Sequence, residues 1–398
     1  MTDLDTLART AAQELVARTV PDVAARYADV RRMRTRRSAA KLVAAVAATG
    51  LVLGTWQLGQ DDADDVQPVA PVHLVLTDAR LSSTDFLADV RTEQRGEDLD
   101  HDRFDGITDD GLVVRSRYTY DADVSEYGLL DPESGVTDWL PRPPWDLGDP
   151  TPLRLTSEFL VFLDRRHLER FDVLTFDRGR QRWQRVTFAR PDDVDRFFGF
   201  TAVLGNDRRV YLMDPVPQVR WYSVGADGGE PRLEPDLEGQ TLAFTDTARI
   251  TADGTGRVLV HRAGGDDPQV VTEGLPDGCK LEPGSHPQVA LAGDRPVVSY
   301  PCSSRTVVAV YEPSGAPYVE LTGDVLVGGA GPRHLLLTDP EATYSLNLER
   351  RELHRIDAGN SGGFAGGRDV VGDLALWAVD ADHDPDVFSL AYWVGRLP

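Results

Sequence analysis

Two runs of aspartates have the spacing that a hard cation would use. The alternating aspartates are Asp98, Asp100 and Asp102 in the first run, and Asp380, Asp382, Asp384 and Asp386 in the second. Calcium takes such oxygens from alternate positions of a loop. An EF-hand loop needs glycine at its sixth position, where these runs have Arg103 and Pro385. The pattern therefore excludes an EF-hand and leaves two interpretations, a loose calcium loop or a solvated acidic loop.

The chain has two cysteines, Cys279 and Cys302. This pair fits no zinc pattern, because a structural zinc site needs four ligands in tighter pairs. Outside the cytoplasm a free pair of this kind would oxidise. A bridge would stabilise the fold by about 3 kcal/mol in the chain-entropy description. We predict a structural disulfide, with two unpaired buried thiols as the alternative.

The remaining chemistry-bearing residues form no linear motif that predicts an active site. None of the eight histidines pairs as His-x-His or His-x-x-x-His. The glycine-rich segment Asn360–Gly367 does not run from a strand into a helix, as a phosphate-binding loop does. We therefore predict no catalytic, metal-binding or cofactor-binding residue and no cofactor.

An apolar segment near the start of the chain predicts how the protein is held in place. Leu42–Leu58 has 17 residues and no charge, which is the short end of a bilayer span. Basic residues precede it and an acidic stretch, 60–65, follows it. The residues that carry this topology signal are Arg31, Arg32, Arg34, Arg36, Arg37, Lys41 and the interfacial Trp56. The positive-inside rule places the arginines in the cytoplasm, so we predict one transmembrane helix, residues 39–59, with the lipid bilayer as its partner.

This span divides the chain into four parts. Residues 1–38 are predicted to be a basic, helical cytoplasmic tail, and residues 60–71 an acidic, proline-containing linker. Residues 72–398 would form an extracytoplasmic domain. A cleaved signal peptide and a buried soluble helix are the two alternatives for the apolar segment. The tail would act as a topology signal and lipid contact or, alternatively, bind a cytoplasmic factor such as a sigma factor.

The charge distribution narrows the class of partner. Residues 1–41 hold nine Arg or Lys and five Asp or Glu, a net charge of +4. Since the whole chain carries −23, residues 42–398 carry −27. Such an acidic domain repels nucleic acid, so we expect no nucleic-acid partner. The basic residues are almost all arginine, with only Lys41 and Lys280 as lysines, which is typical of a high-GC bacterium such as an actinobacterium.

From Val72 onward, short apolar runs alternate with Gly, Pro and Asp turns, a pattern typical of β-strands. A repeat is visible, with its clearest copies at Gly128–Trp139 and Val173–Trp183. Their turn residues Asp131 and Asp177 are 46 residues apart. A period of about 40–50 residues predicts a propeller, and residues 72–398 divide into seven units of about 47 residues. Six or eight blades would also fit.

The segment Leu129–Trp139 resembles the repeat of quinoprotein-like β-propellers, in which a strand ends at an Asp, a Gly follows in the turn and a Trp comes shortly after. It is similar also to WD40-like and TolB-like bacterial propellers. The resemblance covers most of residues 72–398 and implies an all-β propeller fold. Because a propeller closes by pairing its two ends, we predict that Val72–Leu76 completes the last blade beside Asp386–Trp393.

These patterns together predict a single-pass membrane protein with an extracytoplasmic β-propeller of about seven blades. The expected role is a non-catalytic binding or scaffold module at the cell envelope, with a protein or glycan as partner, because propeller faces present loops from every blade. One alternative is a propeller enzyme, a hydrolase or lyase, with an axial site. The other is a transmembrane regulator whose tail binds a cytoplasmic factor.

Overall fold

The chain from Pro71 onward forms strands that are joined mostly by short turns in a computed structural model. The structure describes residues 71–82, 84–94, 101–118, 124–148, 150–167, 170–189, 202–205, 207–214, 219–226, 228–245, 247–263, 267–282, 285–303, 305–339, 342–356, 367–380 and 388–398. The predicted tail (1–38), transmembrane helix (39–59) and nearly all of the linker (60–71) lie outside these ranges. Within them, no helix has the length and apolar character needed to cross a membrane.

The described part of the chain begins with three strands that belong to three different sheets. They are β1 (Val72–Val75), β2 (Arg80–Ser82) and β3 (Asp85–Gln94), with a short 3-10 helix, Leu76–Asp78, between the first two. β1 and β2 each add a fifth, parallel strand to the outside of a sheet, and β3 completes a third sheet. The N-terminal segment therefore follows the outer edge of the domain.

The next sixteen strands form four antiparallel blades of four strands each. Blade 1 holds β4 (His101–Ile107), β5 (Val113–Tyr118), β6 (Val124–Asp131) and β7 (Val136–Trp139); blade 2 holds β8 (Thr151–Leu155), β9 (Phe159–His167), β10 (Arg170–Asp177) and β11 (Arg182–Ala189). Blade 3 holds β12 (Ala202–Leu204), β13 (Arg209–Asp214), β14 (Arg220–Gly225) and β15 (Arg232–Leu233), followed by a 3-10 helix, Pro235–Leu237; blade 4 holds β16 (Gln240–Phe244), β17 (Ala248–Asp253), β18 (Arg257–Arg262) and β19 (Gln269–Glu273).

Three further blades use the N-terminal strands. Blade 5 holds β20 (Gln288–Ala292), β21 (Arg295–Cys302), β22 (Arg305–Tyr311) and β23 (Pro317–Gly323), with β1 outside β23. Blade 6 holds β24 (Leu326–Ala330), β25 (His334–Thr338), β26 (Thr343–Asn347) and β27 (Glu352–Ile356), with β2 outside β27. Blade 7 holds β28 (Gly367–Val371), β29 (Leu374–Asp380) and β30 (Phe388–Arg396), with β3 as its outer strand.

The first strand of each blade contacts the first strand of the next, and β28 contacts β4, so the ring is closed. The seven sheets of the described residues confirm the predicted seven-bladed, all-β propeller. The core lies between neighbouring blades. Phe162 and Trp183 of blade 2 pack with Tyr127 of blade 1, for example. Alternate residues of a strand face opposite neighbours, which explains why both faces of each blade are apolar.

Tight hairpin turns carry the chain between the last two strands of a blade. Asp131–Gly135 in blade 1 and Glu312–Gly315 in blade 5 both place a glycine with φ of 69° or 90° at the end of the turn. Glycine adopts these values without a Cβ penalty. The Gly, Pro and Asp turn signals of the sequence therefore mark real turns at these two positions.

The prediction that Val72–Leu76 completes the last blade is wrong. Val72–Val75 instead pairs in parallel with β23 of blade 5. The closing strand is β3, whose register with β30 runs from Asp85↔Arg396 to Gln94↔Phe388. β3 has ten residues and pairs with the nine-residue β30 along its whole length, so it supplies more ladder hydrogen bonds to the closing sheet than the four residues of β1 could.

Candidate functional site

Blade 1 carries a row of alternating charges that reaches its outer edge. Asp102 on β4, Arg117 on β5 and Glu126 on β6 are direct cross-strand neighbours. Arg117 donates to Asp102 Oδ1 and to Glu126 Oε2, both at 3.2 Å. Arg142, just beyond β7, donates from Nη2 to Glu126 Oε1 at 2.6 Å. We call these four residues the arginine row. Its last member, Arg142, has a side chain that is 69% exposed.

Trp139 lies against this row because position 128 has no side chain. Gly128 is its direct partner on β6, and a Cβ there would lie 3.0 Å from Trp139 Cε3. The guanidinium carbon of Arg117 lies 4.2 Å from the ring centroid and that of Arg115 lies 5.5 Å away. Cation–π contacts at partly exposed sites contribute about 0.5–1 kcal/mol each. The tryptophan therefore helps to hold both arginines in place.

A third arginine joins this cluster. Arg115 donates a further hydrogen bond to Asp102. Three arginines (115, 117 and 142) thus meet two carboxylates, although residues 42–398 as a whole carry −27. The guanidinium of Arg142 is 69% exposed, and guanidinium groups bind carboxylates through charge-assisted hydrogen bonds. The cluster can therefore hold an anionic group at the edge of blade 1.

A serine, a histidine and a carboxylate meet on blade 6, in a combination that hydrolases use. Ser345 Oγ lies 3.2 Å from His334 Nδ1, and His334 Nε2 lies 3.6 Å from Asp373 Oδ1 of blade 7. Burial lowers the pKa of His334, and the negative charge of Asp373 partly opposes this. Ser345 has no exposed surface, so a substrate cannot reach its hydroxyl. The group instead joins blade 6 to blade 7.

Blade 2 buries two aspartates side by side. Asp164 and Asp172 are cross-strand partners, and each is 4% exposed. Like charges directly opposite each other destabilise a sheet unless neighbouring hydrogen-bond donors or basic groups compensate for the repulsion. Gly148 N–H donates to Asp164 at 3.4 Å, the Thr187 hydroxyl donates to Asp172, and Arg185 lies 3.9 Å from Asp172. These contacts give both carboxylates a structural role.

The structure places only part of the two acidic runs. Asp102 binds Arg115 and Arg117, and Asp105 accepts from Arg103 Nε at 2.7 Å. Five aspartates of the runs lie outside the described residues: Asp98, Asp100, Asp382, Asp384 and Asp386. Among the residues that are described, no group of three or more His, Cys, Asp or Glu could hold a metal ion. Arginine pairing, rather than cation binding, accounts for Asp102 and Asp105.

Cys279 and Cys302 form a disulfide, with their Cα atoms 5.3 Å apart. Cys302 ends β21 of blade 5, and Cys279 lies in the segment that follows blade 4. Ser303 N–H donates to Lys280 O at 2.8 Å beside the bridge. The bridge therefore ties the connection between these blades to blade 5. The residues predicted to set membrane topology, from Arg31 to Trp56, lie outside the described part of the chain.

Comparison with solved structures returns other proteins at low identity. A prolyl endopeptidase is 15% identical over 73% of this chain, with a TM-score of 0.44; the match spans 45% of that enzyme's chain. U3-55K is 15% identical over 77% of this chain and 98% of its own, with a TM-score of 0.43. A chain of the S. cerevisiae assembly of dbp5 with nup159 and gle1 is 10% identical over 82% of this chain and 100% of its own, with a TM-score of 0.40. No protein-family profile matches the chain, and no curated protein matches it.

Sequence reasoning missed the arginine row. Trp139 was visible only as part of a repeat, and Asp102 only as a cation ligand. The usable signal is the alternation Arg115-Ser-Arg117 on a strand, since residues two apart share one face. Their partners Glu126 and Arg142 come from other segments, so only the strand register brings the four together.

Proposed function

We propose that this chain is a membrane-anchored, extracytoplasmic β-propeller that acts as a non-catalytic binding or scaffold module at the cell envelope. Its partner would be an envelope protein or glycan. The observation that carries this proposal is the disulfide between Cys279 and Cys302. Structural disulfides persist in oxidising compartments and are rare in the cytoplasm. The propeller then belongs outside the cytoplasmic membrane.

The sequence supports the same placement. An uncharged run, Leu42–Leu58, follows six basic residues within 31–41 and precedes the acidic stretch 60–65. This asymmetry orients a single span with its short basic end inside. The lipid bilayer is then one partner of the chain, and it would surround residues 39–59.

A binding role fits the chemistry of the described residues. The Ser345–His334–Asp373 group is enclosed between two blades, where it contributes to packing. The arginine row, in contrast, brings guanidinium groups to the surface of blade 1, with Arg142 and Arg117 69% and 44% exposed. Exposed charge next to an aromatic ring suits recognition of a partner.

Reporter fusions test the placement. Alkaline phosphatase fused after Pro398 should be active, because it folds only outside the cytoplasm, whereas a green fluorescent protein at the same position should be dark. Replacing Arg31, Arg32, Arg34, Arg36 and Arg37 by glutamine, as a matched control, should reduce phosphatase activity because the orientation signal is weakened. Fluorescence from the green fluorescent protein fusion of the unaltered chain would contradict the proposed extracytoplasmic placement.

In-cell crosslinking of the intact chain tests the binding role. We expect an envelope protein or glycan to be recovered with the chain, and to be lost when excess purified propeller competes for it. Recovery of no envelope component under crosslinking would count against a binding module, whatever the orientation of the chain.

A further inference from the structure

The outer edges of two blades already accept an added strand. β1 pairs in parallel with β23 of blade 5 over four residues, and β2 pairs in parallel with β27 of blade 6 over three. Each supplies a fifth strand to a four-stranded blade. The geometry of an outer edge in this ring therefore permits strand addition by a very short extended segment.

Each added strand places a nitrogen-bearing side chain beside a glutamate of its edge. His73 on β1 lies 3.5 Å from Glu320 on β23, and the two residues are direct partners in the register. Arg80 on β2 donates to Glu352 on β27 at 3.0 Å. In both blades the edge offers a glutamate and the incoming strand offers a basic side chain.

Strand β7 is the outer strand of blade 1, as β23 and β27 are of blades 5 and 6. Among the described residues, however, no added strand pairs with β7. Leu140 N–H donates to Tyr127 O on the inner side of this edge. Because inward and outward groups alternate along an antiparallel strand, the N–H groups of Thr137 and Trp139 on β7 point away from the sheet. Val136 at the start of β7 is also 52% exposed. An edge that no strand of the described residues covers is a template for another extended segment.

The charge on one face of this edge is reversed. On the face that carries Trp139, the arginine row ends in Arg142, just beyond β7, whereas blades 5 and 6 present Glu320 and Glu352. Asp138 of β7 lies on the opposite face of the blade. The bonds of Arg142 to Glu126 use Nε and Nη2, and a guanidinium carries five N–H donors. A segment that joins β7 in the manner of β1 and β2 would therefore need a carboxylate in place of His73 or Arg80.

We propose that β7 and Arg142 of blade 1 bind an extended, acidic segment of a partner protein, which adds to the blade as a fifth strand. The inference rests on the proposed binding function and specifies its site and its partner chemistry. Backbone hydrogen bonds to the outward N–H groups would supply affinity, and the arginines would select carboxylates. The segment needs about three or four extended residues, as β1 and β2 show.

The test uses the full chain in detergent and a labelled short peptide of alternating valine and glutamate, with binding followed by fluorescence anisotropy. Arg142→Glu should weaken binding by about tenfold or more, since it replaces attraction by repulsion. Thr137→Pro should weaken it similarly, because it removes an outward N–H without removing a ladder bond. It also removes the hydroxyl that accepts from Arg115 Nη1 at 3.2 Å, so Thr137→Val, which loses only that hydroxyl, separates the two effects and should keep most of the binding. Two matched controls should stay within about twofold: Arg305→Glu, an exposed arginine of blade 5, and Leu233→Pro, an outward N–H at the edge of blade 3.

Several outcomes would overturn the inference. A valine–lysine peptide that binds equally well would show that charge is not selected. Binding that survives Thr137→Pro but not Arg142→Glu, and that polygalacturonate displaces, would assign the surface to an acidic glycan. Thermal unfolding of each variant shows whether a loss reflects misfolding, and Leu233→Pro controls for the proline itself. If the crosslinked envelope partner is retained by both Arg142→Glu and Thr137→Pro, the binding function stands and this site is wrong.

Discussion

The carboxylate of Asp369 links the last blade to the first near the centre of the ring. Its Oδ2 accepts a hydrogen bond from Ile107 N–H at 2.8 Å, across a sequence separation of 262 residues. Its Oδ1 accepts from Val370 N–H at 2.9 Å. Burial raises the pKa of Asp369 above its ordinary value, although these two hydrogen bonds partly oppose the shift. Blade 7 is thus tied to earlier parts of the propeller twice, to blade 1 by this carboxylate near the centre of the ring and to β3 at the outer edge.

Asp369→Asn should destabilise the ring by about 2 kcal/mol. An amide has one acceptor oxygen and would turn its NH2 group toward one of the two backbone N–H donors, which leaves a buried donor unsatisfied. Urea unfolding at neutral pH measures the change. Asp294→Asn, in an exposed turn of blade 5, is the matched control and should stay within about 0.5 kcal/mol. Equal unfolding midpoints for the two variants would contradict this role of Asp369.

Loss of the disulfide should cost the domain about 3 kcal/mol, because the bridge spans a sequence separation of 23 residues and restricts the unfolded chain. The double variant Cys279→Ala/Cys302→Ala should therefore unfold at lower urea concentration than the oxidised chain. Reduction of the unaltered chain should give the same shift. Two titratable thiols in the freshly isolated, denatured chain would show that the bridge does not form.

The sequence predicted the blades better than their connections. Apolar runs and turn signals such as Asp131–Gly135 are local, so the strands and a repeat of about 47 residues were readable, whereas six, seven or eight blades all fitted the sequence. Strand addition is not local: Val72–Val75 was a clear strand, but its partners on β23 lie 247 residues further on, and nothing in its four residues specifies a blade. The same limit hid Asp369, whose partner Ile107 is fixed only when the ring closes.

His334 should make the interface of blades 6 and 7 sensitive to acid. Burial is the main cause of its lowered pKa; Asp373 and Glu349 oppose the shift, and Arg333 and His354 add to it. A folded-state pKa below the unfolded value of about 6.5 means that the unfolded chain binds the proton more readily. The contribution of His334 to stability is thus complete above about pH 6.5 and declines as pH falls toward the folded-state pKa.

His334→Gln tests this dependence, because glutamine can still bond Ser345 but does not titrate. Between pH 7 and 5, the free energy of unfolding should fall more steeply for the unaltered chain than for this variant. His73→Gln, at an exposed position on β1, serves as the control and should keep the steep dependence. Parallel pH profiles for the unaltered chain and His334→Gln would exclude the histidine as the cause.

Leu76 and Leu81 belong to the same N-terminal segment, but only Leu76 is packed. Leu76 contacts the apolar cluster between blades 5 and 6, and a Cβ on Gly323 would lie 2.5 Å from its Cδ1. Leu81 is 72% exposed. Leu76→Ala should therefore cost about 2 kcal/mol in urea unfolding and speed proteolysis of the segment, whereas Leu81→Ala should change stability by less than about 0.5 kcal/mol. Because β1 pairs through only four residues, equal effects of the two substitutions would mean that backbone pairing, rather than Leu76, holds the segment against blade 5.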